Sequence, residues 1–212
     1  RDLGASLLAR ARDLNVTFII PDGSNQFMAS LAEAVSRRAS QALTERMHIQ
    51  TQRIRALDGH ALVAALAALE PDTCDCAIIV ASQEPAVVAA VDAASRRGVA
   101  VMTLVSDLPS SQRRHFVGID NGAAGRTAAA LMGRFLPQGG KVAVIAGSLH
   151  LRDHADRLAG FADALAERFA GIEVIGPIEG HDEASQTQAV VAGLLGHYEA
   201  VLGVGTPVYA HG

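Results

Sequence analysis

Asn25 and Phe27 stand one residue apart in the stretch Pro21-Asp22-Gly23-Ser24-Asn25-Gln26-Phe27-Met28, directly after the apolar run at 16–20. A carboxamide donates and accepts hydrogen bonds, and an aromatic ring stacks on an apolar face. The pair therefore suits a polyol or sugar. The competing assignment makes Ser24 or Asn25 a helix cap and packs Phe27 beneath that helix. Asp107 follows the run at 99–104, in Val105-Ser106-Asp107-Leu108-Pro109. A carboxylate there can accept two hydroxyl hydrogen bonds, stronger than neutral pairs, or it is simply a turn residue. Ser82, Gln83 and Glu84 follow the run at 77–80 and precede Pro85, a helix-start signal, so capping competes with binding at that loop too.

A longer segment, from Gly147 to Phe161, begins after another apolar run and opens a helix, which makes it an anion or hydroxyl site. Arg152 and Arg157 each present a guanidinium fork there, with salt bridges to Asp153 or Asp156 as the alternative. His150 and His154 are spaced four apart, a metal-compatible helical spacing, but no metalloprotease signature surrounds them and packing or solvated histidines are expected. Enzyme signatures are missing: no Gly-rich loop ends in Lys-Ser/Thr, and no Gly-x-Ser-x-Gly elbow is present. Asp107 and His181 form no acid–base machinery without a nucleophile or cofactor beside them. The expectation is a non-enzyme that needs no metal or cofactor.

The elements that must carry these loops follow from periodicity. Apolar runs at 16–20, 47–52, 77–80, 99–104, 141–146, 172–178 and 200–204 read as strands. Between them, Phe27, Leu31, Val35, Ala39 and Ala42 follow a helical period, as do Leu62, Leu66 and Leu69, and Leu158, Phe161, Leu165 and Phe169. Such alternation implies parallel sheets with right-handed crossovers. Ligands bind at the carboxyl ends of strands in such sheets, which is where Asn25, Ser82 and Asp107 fall. Gly98 should end one helix, Asp120 or Asn121 should cap another, and Asp182 should cap the last.

The chain of 212 residues has enough material for one large domain or two small ones. Hydrophobic residues make up 50% of it, yet no apolar run approaches the roughly 20 residues that a membrane helix needs. A net charge of −4 argues against broad nucleic-acid binding by these residues. The two cysteines, Cys74 and Cys76, sit too close in sequence for an unstrained bond and fit a reducing, cytoplasmic setting. Residues 1–14 read as a short amphipathic helix or tether, with Leu3, Leu7, Leu8 and Ala11 on one face.

Four segments in order resemble the type I periplasmic-binding-protein family, specifically the ligand-binding domain of LacI-type transcription regulators and their sugar-binding relatives. Residues 21–28 look like a P-D-x-S-N-P-F-F loop, with Gln26 in place of proline and Met28 in place of the second aromatic. Residues 101–107 look like the strand and loop that deliver an aspartate to a sugar. Val117-Gly118-Ile119-Asp120-Asn121 with Ala124-Gly125 resembles V-G-x-D-N-x-x-A-G at the first crossing between lobes. Arg157-Leu158-Ala159-Gly160-Phe161 resembles R-L-x-G-F of the second lobe.

The resemblance implies two Rossmann-like α/β lobes with parallel sheets, the first over 15–120 and the second over 121–212. The segment after Ala200–Val204 departs from the family pattern, so the second lobe is expected to be incomplete. Carried over, Asn25, Phe27, Ser82, Asp107, Arg152, Arg157, His181 and Asp182 become ligand contacts for a sugar or polyol held between the lobes. The implied function is small-molecule sensing by a homodimeric repressor that meets DNA through an upstream domain, without any membrane partner. The alternative is a sugar-binding protein serving an ABC-type transporter.

Overall fold

The structure, a computed structural model, describes residues 13–23 and 25–194 together with the backbone of 200–204. The tether expected at residues 1–14 and the stretch after residue 204 lie almost wholly outside the described residues, as does Ser24. The chain divides into two compact units. One comprises Arg1–Asp22, Gln26–Leu104 and Leu108–Val117; the other comprises Gly23–Asn25, Val105–Asp107 and Gly118–Gly212.

The first unit holds a five-stranded sheet in the order β2-β1-β3-β4-β5. Its strands are β1 (Leu14–Asp22), β2 (Met47–Arg55), β3 (Cys76–Ile79), β4 (Ala100–Leu104) and β5 (His115–Val117). Every pairing is parallel. Three helices accompany it: α1 (Gln26–Ala42), α2 (Gly59–Ala67) and α3 (Pro85–Arg97). Ile19, Ala77, Ile79 and Val101 of the sheet share a core with Leu62, Leu66, Val87 and Val91. On α1, Ala32 and Val35 pack with Ile20 against Phe18 and Ile49.

Local chemistry sets the helix ends. Asp58 Oδ1 accepts the Ala61 amide at 2.9 Å and caps α2. That bond, followed by the Arg55 guanidinium, holds the Asp58 carboxyl below its usual range. Pro85 occupies the first turn of α3, and Gly98 ends it with φ of 103°, the left-handed conformation expected of a C-terminal glycine. Arg97 donates through Nη2 to the carbonyls of Leu66 and Leu69, at 2.8 and 3.3 Å, and so satisfies acceptors at the C-terminal end of α2. Glu84, the residue before α3, makes no side-chain capping bond.

The second unit has a three-stranded sheet in the order β7-β6-β8. Here β6 is Gly140–Ala146, β7 is Ile172–Glu179 and β8 is Ala200–Val204, all parallel. Strand β6 is central, and it is buried from Val142 to Ala146. Its near-continuous apolar run is what a strand covered on both faces requires. The helices are α4 (Asn121–Phe135), α5 (Arg152–Arg168) and α6 (Ala184–Leu194). Phe161, fully buried, centres a core with Ala129, Val142, Val144 and Leu165. Between Asp120 and Asn121, it is Asp120 that caps α4, accepting the Ala123 amide at 2.8 Å.

This is the parallel α/β architecture that the alternation of runs implies. Two details differ. Strand β5 has no counterpart among the expected strands, and β2 extends past residue 52 to Arg55. β2 is an edge strand of the sheet and is largely exposed, so Arg53 and Arg55 are accommodated with their charges in solvent.

Candidate functional site

In the second unit, polar groups gather at the carboxyl ends of β6 and β7 and on the first turns of α5. The helices α4 and α5 meet backbone to backbone. A Cβ at Gly125 would overlap the Arg157 carbonyl oxygen, and one at Gly160 would overlap the Gly122 carbonyl oxygen. This approach brings Arg157 to the start of α4, where Asn121 Oδ1 accepts from its Nε at 3.1 Å and from its Nη2 at 2.7 Å. Nη2 also lies 3.4 Å from Asp153 Oδ2, one helical turn earlier.

Asp153 is only 5% exposed, and its Oδ1 has no hydrogen-bond partner among the described residues. A buried carboxylate oxygen without a donor is costly, on the order of 1–3 kcal/mol or more for a charged group. It is therefore a place where a ligand hydroxyl would be welcome. Beside it, His154 is also buried; its Nδ1 accepts the Ser148 amide at 2.9 Å, which makes it the Nε2–H tautomer. Gly147 is confined between Asp182 Oδ1 and His154 Cε1, so any side chain there would displace one of them.

The other expected residues in this unit fall out as follows. Arg152 pairs through Nε with Asp156 at 3.1 Å, the salt-bridge alternative, and its backbone amide donates to the buried Ser106 hydroxyl at 3.0 Å. Asn25 is buried, whereas Asp107 is half-buried. His181 is exposed and Asp182 half-buried; both have positive φ, 51° and 57°. Asp182 precedes α6 by two residues, and its carboxylate faces Gly147. Val105 is left-handed at φ of 69°.

In the first unit, Phe27 is 51% exposed, which rules out the assignment that packs it beneath its helix. Helix α1 turns Ala32 and Val35 inward instead. Ser82 is buried and donates to Glu84 Oε1 at 3.2 Å, and the Glu84 carboxylate lies over Gly59 at the start of α2. Ser82 thus serves the positioning of Glu84 rather than a helix cap.

The structure therefore pairs Arg157 with Asp153, the salt-bridge alternative, and also with Asn121, which the sequence offered only as a helix cap. The spacing of Asp153 was visible, because it is four before Arg157 on one helix face. Its burial was not. Among the described residues, no cluster of three or more His, Cys, Asp or Glu is arranged to hold a metal ion. Nor is any described helix long and apolar enough to cross a membrane.

Residues 16–210 match the periplasmic binding protein domain family. No curated protein matches the sequence. Among solved structures, the chain is similar to an ABC transporter solute-binding protein from Burkholderia graminis in complex with D-arabinose. The two are 27% identical with a TM-score of 0.80, over 93% of this chain and 68% of the other. It is also similar to a glucose-galactose binding protein from Geobacillus stearothermophilus, at 22% identity and a TM-score of 0.78, over 91% of this chain and 68% of that one. A Caulobacter myo-inositol binding protein bound to myo-inositol gives 19% identity and a TM-score of 0.79, over 90% of this chain and 65% of the other. At those lower identities the last two show likeness of fold alone.

Proposed function

The chain belongs to the periplasmic binding protein domain family, and on that premise we propose that it binds a neutral sugar or cyclic polyol on behalf of an ABC-type transporter. The observation that carries this reading is Asp153, a buried carboxylate beside the Arg157 guanidinium with one oxygen unpartnered among the described residues. A carboxylate that accepts and a guanidinium that donates, side by side, suit two neighbouring hydroxyls of one ring. The charge around them disfavours an anion. Glu179 ends β7, Asp182 lies in the turn that follows, and Arg152 is already paired with Asp156. A sugar acid or sugar phosphate would bring a further negative charge to carboxylates. No bond need be made or broken, so the site works by hydrogen-bond matching alone.

The transporter reading replaces the regulator expected from the motifs, because the relatives named above are sugar-binding proteins and one is a transporter component. The DNA partner, the homodimer and the cytoplasmic location belong to the regulator reading and have no part in this one. Cell fractionation separates the two: a transporter-linked protein is recovered outside the cytoplasm, a repressor inside it.

Titration calorimetry with D-arabinose, D-glucose, D-galactose and myo-inositol tests the binding reading directly. At least one should bind, and D-gluconate should not. Asp153→Asn should weaken that binding by about tenfold to a hundredfold, the scale of one charge-assisted hydrogen bond. An unchanged affinity in Asp153→Asn would remove the site from Asp153.

A further inference from the structure

We infer that Asn121 is a positioning residue that holds the Arg157 guanidinium in its binding geometry, and that Gly125 and Gly160 exist to let it do so. This rests on the reading above, in which Arg157 faces the sugar. An arginine side chain has five N–H donors and a long flexible stem, so its direction must be imposed by its partners. Asn121 Oδ1 receives both Nε–H and an Nη2–H, at 3.1 and 2.7 Å, which fixes one edge of the guanidinium. Asp153 Oδ2 takes a longer bond from Nη2, 3.4 Å. Nη1 is left with no partner among the described residues, so the held group presents its remaining N–H pair.

Asn121 is itself well held. It is 7% exposed, and its Nδ2 donates to the Ile119 carbonyl at 3.4 Å, which assigns the other end of the amide, Oδ1, to the arginine. Its backbone is the first residue of α4, anchored by the Asp120 cap. The two glycines complete the device. Each stands where a Cβ would overlap a carbonyl oxygen of the opposite helix: Gly125 against Arg157, Gly160 against Gly122. The helices are therefore close at the turn where the short Asn121 side chain must reach the stem end of Arg157. The D-N-x-x-A-G and R-L-x-G-F segments thus act as one unit, each supplying one polar side chain and one glycine.

The test is a double-mutant cycle on the whole chain with Asn121→Ala, Arg157→Ala and their combination. It is read by calorimetry with D-arabinose, D-glucose, D-galactose and myo-inositol, and by the NMR signal of the Arg157 Nε–H without sugar. Asn121→Ala should weaken the bound sugar by roughly threefold to tenfold, the scale of ordering one rotamer-rich side chain. It should cost nothing further once Arg157 is alanine. The Nε–H of Arg157 should be protected from solvent exchange in the native chain and should exchange fast in Asn121→Ala. Asn121→Asp, which keeps an oxygen at that place, should recover most of both effects. Arg157→Ala weakening binding while Asn121→Ala leaves it intact overturns the inference and spares the binding site. An equal penalty for Asn121→Ala with and without Arg157 marks a merely structural role and overturns it as well. Should Arg157→Ala bind as the native chain does, or none of the sugars bind, the binding reading itself fails. The Nε–H exchange then still decides whether Asn121 holds the arginine, and unaltered exchange in Asn121→Ala sinks that too.

Discussion

The helix pairs α2/α3 and α4/α5 solve the same packing problem in different ways. In the first unit, Leu62 and Leu66 of α2 share a core with Val87 and Val91 of α3, so branched side chains fill it. That core is apolar and made for burial; each fully buried side chain stabilises by about 1.5–3 kcal/mol. In the second unit, α4 and α5 touch at Gly125 and Gly160 with almost nothing between their backbones. Further along the same pair, Ala129 and Met132 of α4 share a core with Phe161 and Leu165 of α5. The gain at the glycines is geometric: two polar side chains from different helices are brought within hydrogen-bonding distance. Both pairs bury apolar side chains, and only the second also joins Asn121 to Arg157.

Leu66 is fully buried in the first of these cores. Leu66→Ala should destabilise by about 2–5 kcal/mol in urea titrations and leave sugar affinity at native saturation unaltered. Next comes Gly125→Ala, for which overpacking against backbone should cost about 1–3 kcal/mol. Unlike Leu66→Ala, it should also weaken sugar binding, because Arg157 must shift. Equal affinity losses in the two variants would erase the distinction drawn here.

The folded Asp58 carboxyl is depressed, first by the Ala61 amide and then by Arg55. Its stabilising contribution is therefore complete above the ordinary aspartate value, about 4, and is lost as the pH falls through the depressed one. Asp58→Asn keeps an oxygen for the cap but removes that titration, so its urea midpoint should fall less steeply with acidification than the native one. The smallest effect concerns Cys76, whose thiol burial raises, with a further push from Cys74. Iodoacetamide should label it more slowly at pH 8 than a free cysteine peptide, while Cys74, 1% exposed, should label only on unfolding.

Much of this was legible in the sequence. The helical period of Leu62, Leu66 and Leu69 and the apolar run of β6 mark elements whose burial decides their conformation. β5 was hidden because three residues, His115 to Val117, with only Phe116 half-buried, carry no readable alternation. The extension of β2 was hidden because an exposed edge strand tolerates arginines that elsewhere would end a strand. At the site, Arg157 stood out by its motif. Asp153 did not, since a carboxylate four residues before an arginine reads as an exposed ion pair until its 5% exposure is known. Asn121 was hidden for a different reason. It lies 36 residues from Arg157, and only the glycines that join their helices put the two together.

Val105 has a further consequence. It is β-branched and stands at φ of 69°, in a region that asks about 1–2 kcal/mol of an ordinary L-residue. The next residue, Ser106, is fully buried and accepts the Arg152 amide, so the segment is fixed from its far side. Thermostability is therefore held in reserve at a single peptide unit. Val105→Gly removes the side chain that opposes this conformation without touching the Ser106 anchor, and the melting temperature of the chain should rise.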